Sequence, residues 1–481
     1  MKLAVPKETN DNESRVALTP GIVKSLVEAG FECNVEKGAG LNSYFDDKDY
    51  SDAGATMIDT ATALYADADV VLKINAPNAE EIKSMKSGSV LISFMFAATT
   101  PDVVDACVAN EISSFSMDAI PRISKAQSMD ALSSQSNLAG YKSVILAANS
   151  LGKVFPLLMT AAGTLKPSRV VIMGAGVAGL QALATAKRLG AIVEVSDIRP
   201  EVKEQIESLG GKFIEVDSDD EVETEGGYVK EVSAEYLKKQ AEAVALRVAE
   251  ADIVITTALI PGRKAPMLIS EDMVKSMRFG SVILDMAVAS GGNCELSEIN
   301  QTVIKHGVTI IGESNLPALL PLNASELYAK NISTLLKYLA DKDGFKWEMD
   351  EEITKGSLIT HKGEKVHPTV LPKKEEAVPE PAKEPAPTAD TDQDGGEAAP
   401  APVKEPAEKA DTDQSNGESQ PEKPAQAPEG DQSGGEEAEP EKPAETPEDD
   451  QSNGEAEPEK PAETPEDDQS GGEETKREDQ N

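Results

Sequence analysis

The chain has 481 residues, enough for two or three ordinary domains, and a formal net charge of −40. It offers no basic stripe for a phosphate backbone, which excludes nucleic-acid binding. Its three cysteines, Cys33, Cys107 and Cys294, are widely separated. They predict no disulfide framework and no zinc site, and they indicate a reducing, cytoplasmic compartment.

The first 120 residues alternate short apolar runs with helical stretches. Strands are predicted at residues 3–5, 32–35, 70–74 and 90–96. Thr19 and Pro20 predict the start of a helix that should end at Gly30. Such alternation is typical of βαβ units and a parallel sheet. We expect no signal peptide and no membrane span, because the longest apolar run is far shorter than the roughly 20 residues a spanning helix needs.

A second alternating series extends from Arg169 to about Glu313. Its strands are predicted at residues 170–173, 192–195, 213–216, 252–256, 282–285 and 308–311. Six strands separated by helices match a doubly wound nucleotide-binding domain. An amphipathic helix at about 325–340 is expected to return the chain to the first domain. The predicted class is α/β, with two Rossmann-like doubly wound domains: 1–136 plus about 325–370, and 137–324.

The remainder, residues 371–481, has a different composition. It holds 35 acidic and 10 basic residues and no aromatic residue, and its net charge of −25 leaves −15 for residues 1–370. Residues 437–452 recur unchanged at 455–470, a period of 18. So little apolar surface cannot offset the entropy of ordering, so we expect a disordered acidic tail. It serves either as a solubilising spacer or as a docking segment.

The strongest local motif is a glycine fingerprint, Gly174, Gly176 and Gly179, between a predicted buried strand and a helix. Gly174 allows a tight turn, Gly176 lets the backbone approach a pyrophosphate, and Gly179 permits close helix–strand packing. Asp197 ends the next strand and is placed to accept hydrogen bonds from the adenosine ribose. Its carboxylate favours NAD over NADP, although the nearby Arg199 weakens that preference because an arginine can serve a 2′-phosphate.

A polar stretch at residues 121–141 lies beside the domain boundary. It carries Arg122, Gln127, Asp130 and Ser133 within twelve residues. Such a stretch suits either a solvated linker or a carboxamide partner, which needs both a hydrogen-bond donor and an acceptor. The residues alone leave these two interpretations open.

The folded part resembles the NAD(H)-binding alpha subunit of proton-translocating nicotinamide nucleotide transhydrogenase, a family related to alanine dehydrogenase. The segments that carry the resemblance are residues 15–20, 121–141, 159–164, 174–179, 256–262 and 291–294. Together they extend over most of residues 1–370. The resemblance implies an enzyme of the Si-specific/Re-specific type.

The resemblance also implies roles for individual residues. In the nicotinamide loop, Arg122, Gln127, Asp130 and Ser133 are the candidate catalytic residues, and Ile123 and Ser124 are further contacts. Val177 matches a contact within the fingerprint, and Asp197, Ile198 and Arg199 match the adenosine side. Gly227 and Tyr228 match a loop that closes over the nucleotide. Gln240 and Leu259 match additional cofactor contacts, and no metal site is expected.

Two departures distinguish this chain from alanine dehydrogenases. Those enzymes have a histidine where this chain has Phe96 and an aspartate where it has Ala289. Amino-acid oxidation needs such an acid/base group, whereas hydride exchange between two nicotinamides does not. Arg15 and Lys73, which hold the substrate carboxylate in alanine dehydrogenases, remain here and are interpreted as ancestral or structural.

The expected function is therefore hydride transfer from NADH to NADP+ on a partner subunit, coupled to proton movement across a membrane. The expected partners are a second copy in a homodimer, an NADP(H)-binding subunit and membrane-spanning subunits. These would hold the chain at the inner face of a membrane. The alternatives are a stand-alone alanine-dehydrogenase-like enzyme and an NAD(H)-sensing adaptor.

Overall fold

The computed structural model describes residues 1–216, 224–225, 228–229, 234–260 and 262–371. The predicted disorder of the tail concerns residues outside this part. The strands in chain order are β1 (Lys2–Val5), β2 (Glu32–Glu36), β3 (Thr56–Ile58), β4 (Val70–Leu72), β5 (Val90–Ser93), β6 (Ser113–Ser116), β7 (Leu158–Thr160), β8 (Gly163–Leu165), β9 (Arg169–Met173), β10 (Ile192–Ser196), β11 (Lys212–Phe213), β12 (Thr224–Glu225), β13 (Tyr228–Val229), β14 (Ile253–Thr256), β15 (Val282–Asp285), β16 (Gln301–Lys305), β17 (Val308–Gly312), β18 (Ala340–Asp341), β19 (Gly344–Phe345), β20 (Leu358–His361) and β21 (Glu364–Lys365).

The α-helices are α1 (Pro20–Glu28), α2 (Asp47–Asp52), α3 (Ala61–Ala66), α4 (Ala79–Ser84), α5 (Pro101–Ala109), α6 (Ala131–Ser150), α7 (Val177–Arg188), α8 (Lys203–Ser208), α9 (Ala234–Glu250), α10 (Glu271–Ser276), α11 (Pro321–Leu339) and α12 (Glu352–Ser357). Among the described residues, no helix combines the length and apolar character needed to cross a membrane.

The first sheet has the order β21-β20-β6-β5-β4-β1-β2-β3. Strands β1 to β6 are parallel, and β20 joins the edge antiparallel to β6. The predicted parallel sheet is confirmed. Strands β3 and β6 were missed, since β6 has the sequence Ser-Ser-Phe-Ser and shows no apolar run. Its serines are nevertheless buried, and the Ser114 hydroxyl bonds Thr360 of β20 at 2.7 Å.

The second sheet has the order β11-β10-β9-β14-β15-β17-β16. Six strands are parallel, and β16 runs antiparallel to β17 at the edge. The doubly wound arrangement is confirmed, and the order reverses between β9 and β14. Strand β16 was missed because most of its side chains are exposed rather than alternating between core and solvent.

Helix α6 contributes residues to the cores of both sheets, and helix α11 contributes residues to the core of the first. Helix α11 begins at Pro321, earlier than predicted, and contributes Tyr328, Ile332 and Leu336 to the core of the first sheet. Helix α6 meets the start of α7 closely, because a Cβ built on Gly140 would lie 2.2 Å from the carbonyl oxygen of Ala178. Glycine at position 140 therefore sets the distance between these two helices.

Buried charged side chains gather where β1 and β4 end, the point at which the strand order of the first sheet reverses. Arg15 donates to both carboxylate oxygens of Glu13, from Nε at 2.8 Å and Nη2 at 2.6 Å, and to Gln135 Oε1 at 2.8 Å. Lys73 Nζ lies 2.7 Å from Glu81 Oε1. Each of these cations is thus satisfied by a carboxylate of the chain itself.

Burial and pairing act in opposite directions on these carboxyl groups. For Glu8 burial dominates, and it raises the pKa above the ordinary value of 4.5. For Glu13 burial also acts to raise the pKa, but the hydrogen bonds and charge of Arg15 outweigh it and lower the pKa to about 2. Ionised Glu13 therefore stabilises the fold above about pH 4.5, and this contribution is lost as the pH falls toward about 2.

Replacing Glu13 with glutamine should abolish this pH dependence. The free energy of unfolding, measured with urea, should be lower for Glu13→Gln than for wild type at pH 7. The difference should shrink by on the order of 2 kcal/mol at pH 3, because wild-type Glu13 has by then lost more than half of its contribution. Carboxyl groups that do not interact with Glu13 contribute equally in both chains, so their effects cancel in the difference. An equal difference at both pH values would contradict this assignment.

Candidate functional site

The glycine fingerprint forms the turn between β9 and α7. Gly174 has a φ of +106°, which favours glycine. A Cβ on Gly179 would lie 1.8 Å from the carbonyl oxygen of Gly174, so no side chain fits between helix and strand. Thr257, which follows β14, closes the other side of the turn, since its hydroxyl lies 3.2 Å from the carbonyl oxygen of Gly174.

Gly176 differs from its two neighbours because it faces open space. It is the N-cap of α7, with a φ of −76°, and a Cβ built on it meets no atom within 4 Å. No side chain caps this helix, and Val177 at its first position is 43% exposed. The exposed N–H groups and the positive end of the helix dipole make this turn suitable for a pyrophosphate.

Asp197 lies against the same turn, at the end of β10. Its Oδ2 accepts from the Ala175 N–H at 2.7 Å, and its Oδ1 accepts from the Arg199 N–H at 2.9 Å. The Arg199 side chain also pairs with this carboxylate. Gln240 reaches the neighbouring Ser196, with Nε2 3.4 Å from Oγ. Ile198 is half-buried beside them.

A buried carboxylate that was not predicted holds the loops on the other side of the turn. Asp285 is fully buried at the end of β15 and accepts from Thr256, Ala287, Asn293, Cys294 and Ser297. These five donors satisfy it within the protein. In the sequence, only its position at the end of a predicted strand could have indicated a role for Asp285.

Asn293, whose N–H binds Asp285, also fixes the loop that carries Leu259. Its Oδ1 accepts from the Ala258 N–H at 3.1 Å, and its Nδ2 donates to the carbonyl oxygens of Ala258 and Pro266 at 2.9 and 2.8 Å. Leu259 itself is 50% exposed. The backbone of this loop is therefore fixed by the buried amide of Asn293, while the apolar side chain of Leu259 is exposed.

The predicted nicotinamide loop lies before α6. Arg122, Ser124 and Gln127 are exposed, and Ile123 is half-buried. Asp130 is the N-cap of α6, and its carboxylate accepts from the Ser133 N–H at 2.9 Å and the Ser133 hydroxyl at 2.6 Å. The structure thus joins Asp130 to Ser133, and a capping role accounts for part of that pairing.

Helix α6 connects this loop to the fingerprint. Asn137 Nδ2 donates to Gln181 Oε1 of α7 at 3.2 Å, and Gly140 packs against Ala178. Ser133 and Gly140 are seven residues apart on one helix, a rise of about 10 Å. The two predicted parts of the site are therefore fixed to each other by regular structure.

The loop that is predicted to close over the nucleotide contains Gly227 and Tyr228. Tyr228 lies in β13, whose backbone pairs antiparallel with β12, so that Glu225 opposes Tyr228. Gly227 lies outside the described residues. A role for this loop stays a prediction.

The two positions that distinguish the rival families carry no titratable group. Phe96 has a φ of +46°, is 50% exposed, and stacks on Phe94 with 5.7 Å between ring centroids. Ala289 is exposed in the short 3₁₀ turn Val288–Ser290. In the part of the chain that the structure describes, no three His, Cys, Asp or Glu side chains are grouped to hold a metal ion.

Comparisons with known proteins agree with this architecture. Residues 4–139 match the family model "Alanine dehydrogenase/PNT, N-terminal domain", and residues 143–368 match its C-terminal counterpart. A Rhodospirillum rubrum protein, named as the first part of NAD(P) transhydrogenase subunit alpha, is 49% identical, over 77% of this chain and 99% of that protein. An alanine dehydrogenase of Staphylococcus haemolyticus is 31% identical, over 76% and 94%.

A solved structure extends the comparison to the fold. The crystal structure of a transhydrogenase from Sinorhizobium meliloti aligns with a TM-score of 0.70 at 44% identity. The alignment covers 76% of this chain and all of that one.

The two glycines Gly176 and Gly179 should respond differently to alanine. Gly179→Ala should lower the melting temperature by several degrees, because its methyl group would collide with the Gly174 carbonyl. Gly176→Ala should melt as the wild type does, yet bind NADH at least about tenfold more weakly, because the methyl group would occupy the space a pyrophosphate needs. Thermal melts and fluorescence titrations with NADH check both. Unchanged NADH affinity in Gly176→Ala would contradict the predicted position of the pyrophosphate.

Proposed function

The chain belongs to the alanine dehydrogenase/PNT family, as a relative of an NAD(P) transhydrogenase alpha subunit, and we propose that it binds NAD(H) and exchanges hydride with NADP(H) on a partner subunit. One observation carries this proposal. A polar loop that ends at Asp130, the N-cap of α6, is fixed through α6 to an open glycine turn, and the Phe96 and Ala289 positions carry no acid or base.

Each part of the cofactor is assigned to one group of residues, and a further group is assigned to cover it. The pyrophosphate is assigned to Gly174, Gly176, Val177 and Gly179, and the adenosine end to Asp197, Ile198, Arg199 and Gln240. The nicotinamide end is assigned to Arg122, Ile123, Ser124, Gln127, Asp130 and Ser133, and the cover to Gly227, Tyr228 and Leu259. The fit rests on the open space at Gly176 and on the uncapped start of α7.

The bound nucleotides supply the chemistry, since a hydride with its electron pair leaves C4 of NADH and adds to C4 of NADP+, giving NAD+ and NADPH. No proton passes to a side chain in this exchange. The chain's residues therefore need only hold the ring in contact with its partner and exclude water. Arg122 and Gln127 are suited to orient the carboxamide, and the Asp130–Ser133 pair fixes the loop from which they project.

Alanine oxidation is disfavoured by the surroundings of Arg15. Its Nε and Nη2 donate to Glu13, and its Nη1 donates to Gln135, so this guanidinium is already engaged by internal acceptors. Lys73 is likewise paired with Glu81 at 2.7 Å. A substrate carboxylate would have to displace these buried carboxylates, and the acid/base group for imine hydrolysis would still be lacking.

Proton coupling belongs, in this proposal, to partner subunits. The chain covers 99% of a relative that is named as only the first part of an alpha subunit, which favours membrane-spanning segments on other polypeptides. We assign the chain to the Si-specific/Re-specific, proton-translocating type. It would be held at the inner face of a membrane by its NADP(H)-binding and membrane-spanning partners.

A second copy of the chain is proposed to cover the hairpin β7–β8. The strand residues of this hairpin are exposed, including Leu158, Met159 and Leu165, and Met159 is 81% exposed. An isolated two-stranded hairpin is marginally stable in water. Apolar side chains on such a hairpin are typical of an interface, which supports the homodimer.

Substitutions in the nicotinamide loop should separate hydride transfer from binding. In the full chain reconstituted with its NADP(H)-binding and membrane subunits, Arg122→Ala and Gln127→Ala should reduce turnover of an NADP+ analogue at least about tenfold through misplacement of the ring. The NADH dissociation constant of the isolated chain should change much less.

Lys125→Ala is the matched control, because Lys125 is exposed in the same loop and pairs with Glu351 at 2.5 Å. It should leave turnover unchanged. Appreciable alanine-dependent NAD+ reduction by the isolated chain would favour an alanine dehydrogenase. NADH binding without any hydride transfer in the complete assembly would favour a sensing adaptor.

Charging the hairpin should dissociate the dimer. Met159→Glu should shift the mass measured by sedimentation equilibrium from two chains to one, because a buried carboxylate without a partner opposes association. Ile304→Glu, at an equally exposed apolar residue of β16, should leave the dimer intact. A dimeric Met159→Glu chain would argue against this interface.

A further inference from the structure

The carboxylate of Asp197 is engaged by more donors than a ribose-binding aspartate needs. The Ala175 N–H and the Arg199 Nη2 donate to Oδ2, at 2.7 and 3.1 Å. The Arg199 N–H and Nε donate to Oδ1, at 2.9 and 3.0 Å. Three of these four donors come from Arg199.

The backbone conformation of Arg199 favours the position of its side chain beside Asp197. Pro200 follows it and restricts it to extended conformations, and its φ of −94° and ψ of 113° agree with that restriction. Its N–H is tied to Asp197 as well. The guanidinium therefore lies along the carboxylate, and only 20% of the Arg199 side chain and 7% of the Asp197 side chain are exposed.

This pairing affects the choice between NAD(H) and NADP(H). A 2′-phosphate is best bound by the forked donors of an arginine. Nε and Nη2 of Arg199 are such donors, and both are directed at Asp197. A 2′-phosphate would have to compete for them with an intramolecular, nearly buried carboxylate and would also be repelled by it.

We propose that Arg199 is a latent specificity-determining residue, which Asp197 withholds from the 2′-phosphate of NADP(H). The inference deepens the proposed function and rests on it, because it concerns the adenosine end of the same nucleotide site. Asp197 excludes the 2′-phosphate in two ways: it is an anion, and it engages the arginine that would otherwise bind the phosphate. Removing its charge should make the Nε and Nη2 donors of Arg199 available to the 2′-phosphate.

Asp197→Asn is the informative substitution. The asparagine oxygen can still accept from the Ala175 N–H, so the fingerprint turn keeps its anchor, but the ion pair with Arg199 is lost. Asp197→Ser removes the charge in a second way and serves if the asparagine chain folds poorly. Thermal melts establish that each variant is folded before binding is compared.

The test measures NADH and NADPH dissociation constants by fluorescence for the full-length chain. Asp197→Asn should bind NADPH at least about tenfold more tightly than wild type, as expected for a released charge-assisted bond. Adding Arg199→Met to Asp197→Asn should remove that gain. Adding Lys203→Met instead should preserve it, because Lys203 is a neighbouring cation that pairs with Glu215 on the surface.

The outcomes separate the inference from the function on which it rests. A wild-type chain that binds neither nucleotide would overturn the proposed function. A wild-type chain that binds NADH, with no NADPH gain in the folded Asp197→Asn and Asp197→Ser variants, would overturn the role of Arg199 alone. So would a gain that survives Arg199→Met.

Discussion

The close approach of α7 to β9 is the constraint on which the rest of the site depends. The carbonyl oxygen of Gly174 lies 1.8 Å from the position of a Cβ on Gly179, so the helix begins as near the strand as two backbones allow. Helix α6 meets the same helix just as closely, through Gly140 and the Ala178 carbonyl. Because Asp130 at the end of the polar loop is the N-cap of α6, these backbone contacts position the loop relative to the glycine turn.

Two buried carboxylates also hold the loops around the glycine turn in place. Asp197 anchors the fingerprint turn through the Ala175 N–H, and Asp285 gathers five donors below the loop of Leu259. Each replaces the hydrogen bonds that the loop backbones would otherwise make with water. The loops at the carboxyl edge of the second sheet are consequently ordered by polar contacts, which leaves Val177 and Leu259 exposed toward solvent.

How much the sequence predicted depends on the kind of signal each element carries. Apolar runs such as β9 and β14 are visible because parallel strands are buried on both faces. Strand β6 was missed because its buried serines are satisfied by hydroxyl partners far along the chain, such as Thr360. The glycine turn was predicted from its spacing together with the apolar strand before it and the helical run after it. Asn293 was not singled out as a functional residue, because its importance comes from contacts with Ala258 and Pro266 that only the fold creates.

Because Asp197 and Arg199 are two residues apart, the sequence suggested that they could pair. It did not give the geometry of the pairing. The geometry around Arg15 was likewise not visible in the sequence. This residue, expected to be ancestral or structural, makes a bidentate contact with Glu13 in a buried network. In both cases the sequence showed the type of side chain, but not the partner that determines whether the side chain is available to a ligand.

In the proposed reaction, hydride passes directly between two nicotinamides, and no group of the protein takes part as acid or base. The most direct measurement uses NADH carrying deuterium at the transferred C4 position, with the full chain assembled with its NADP(H)-binding and membrane subunits in ordinary water. The NADPH formed should retain the deuterium completely, as detected by mass spectrometry. NADPH in which solvent hydrogen has replaced the label would contradict it.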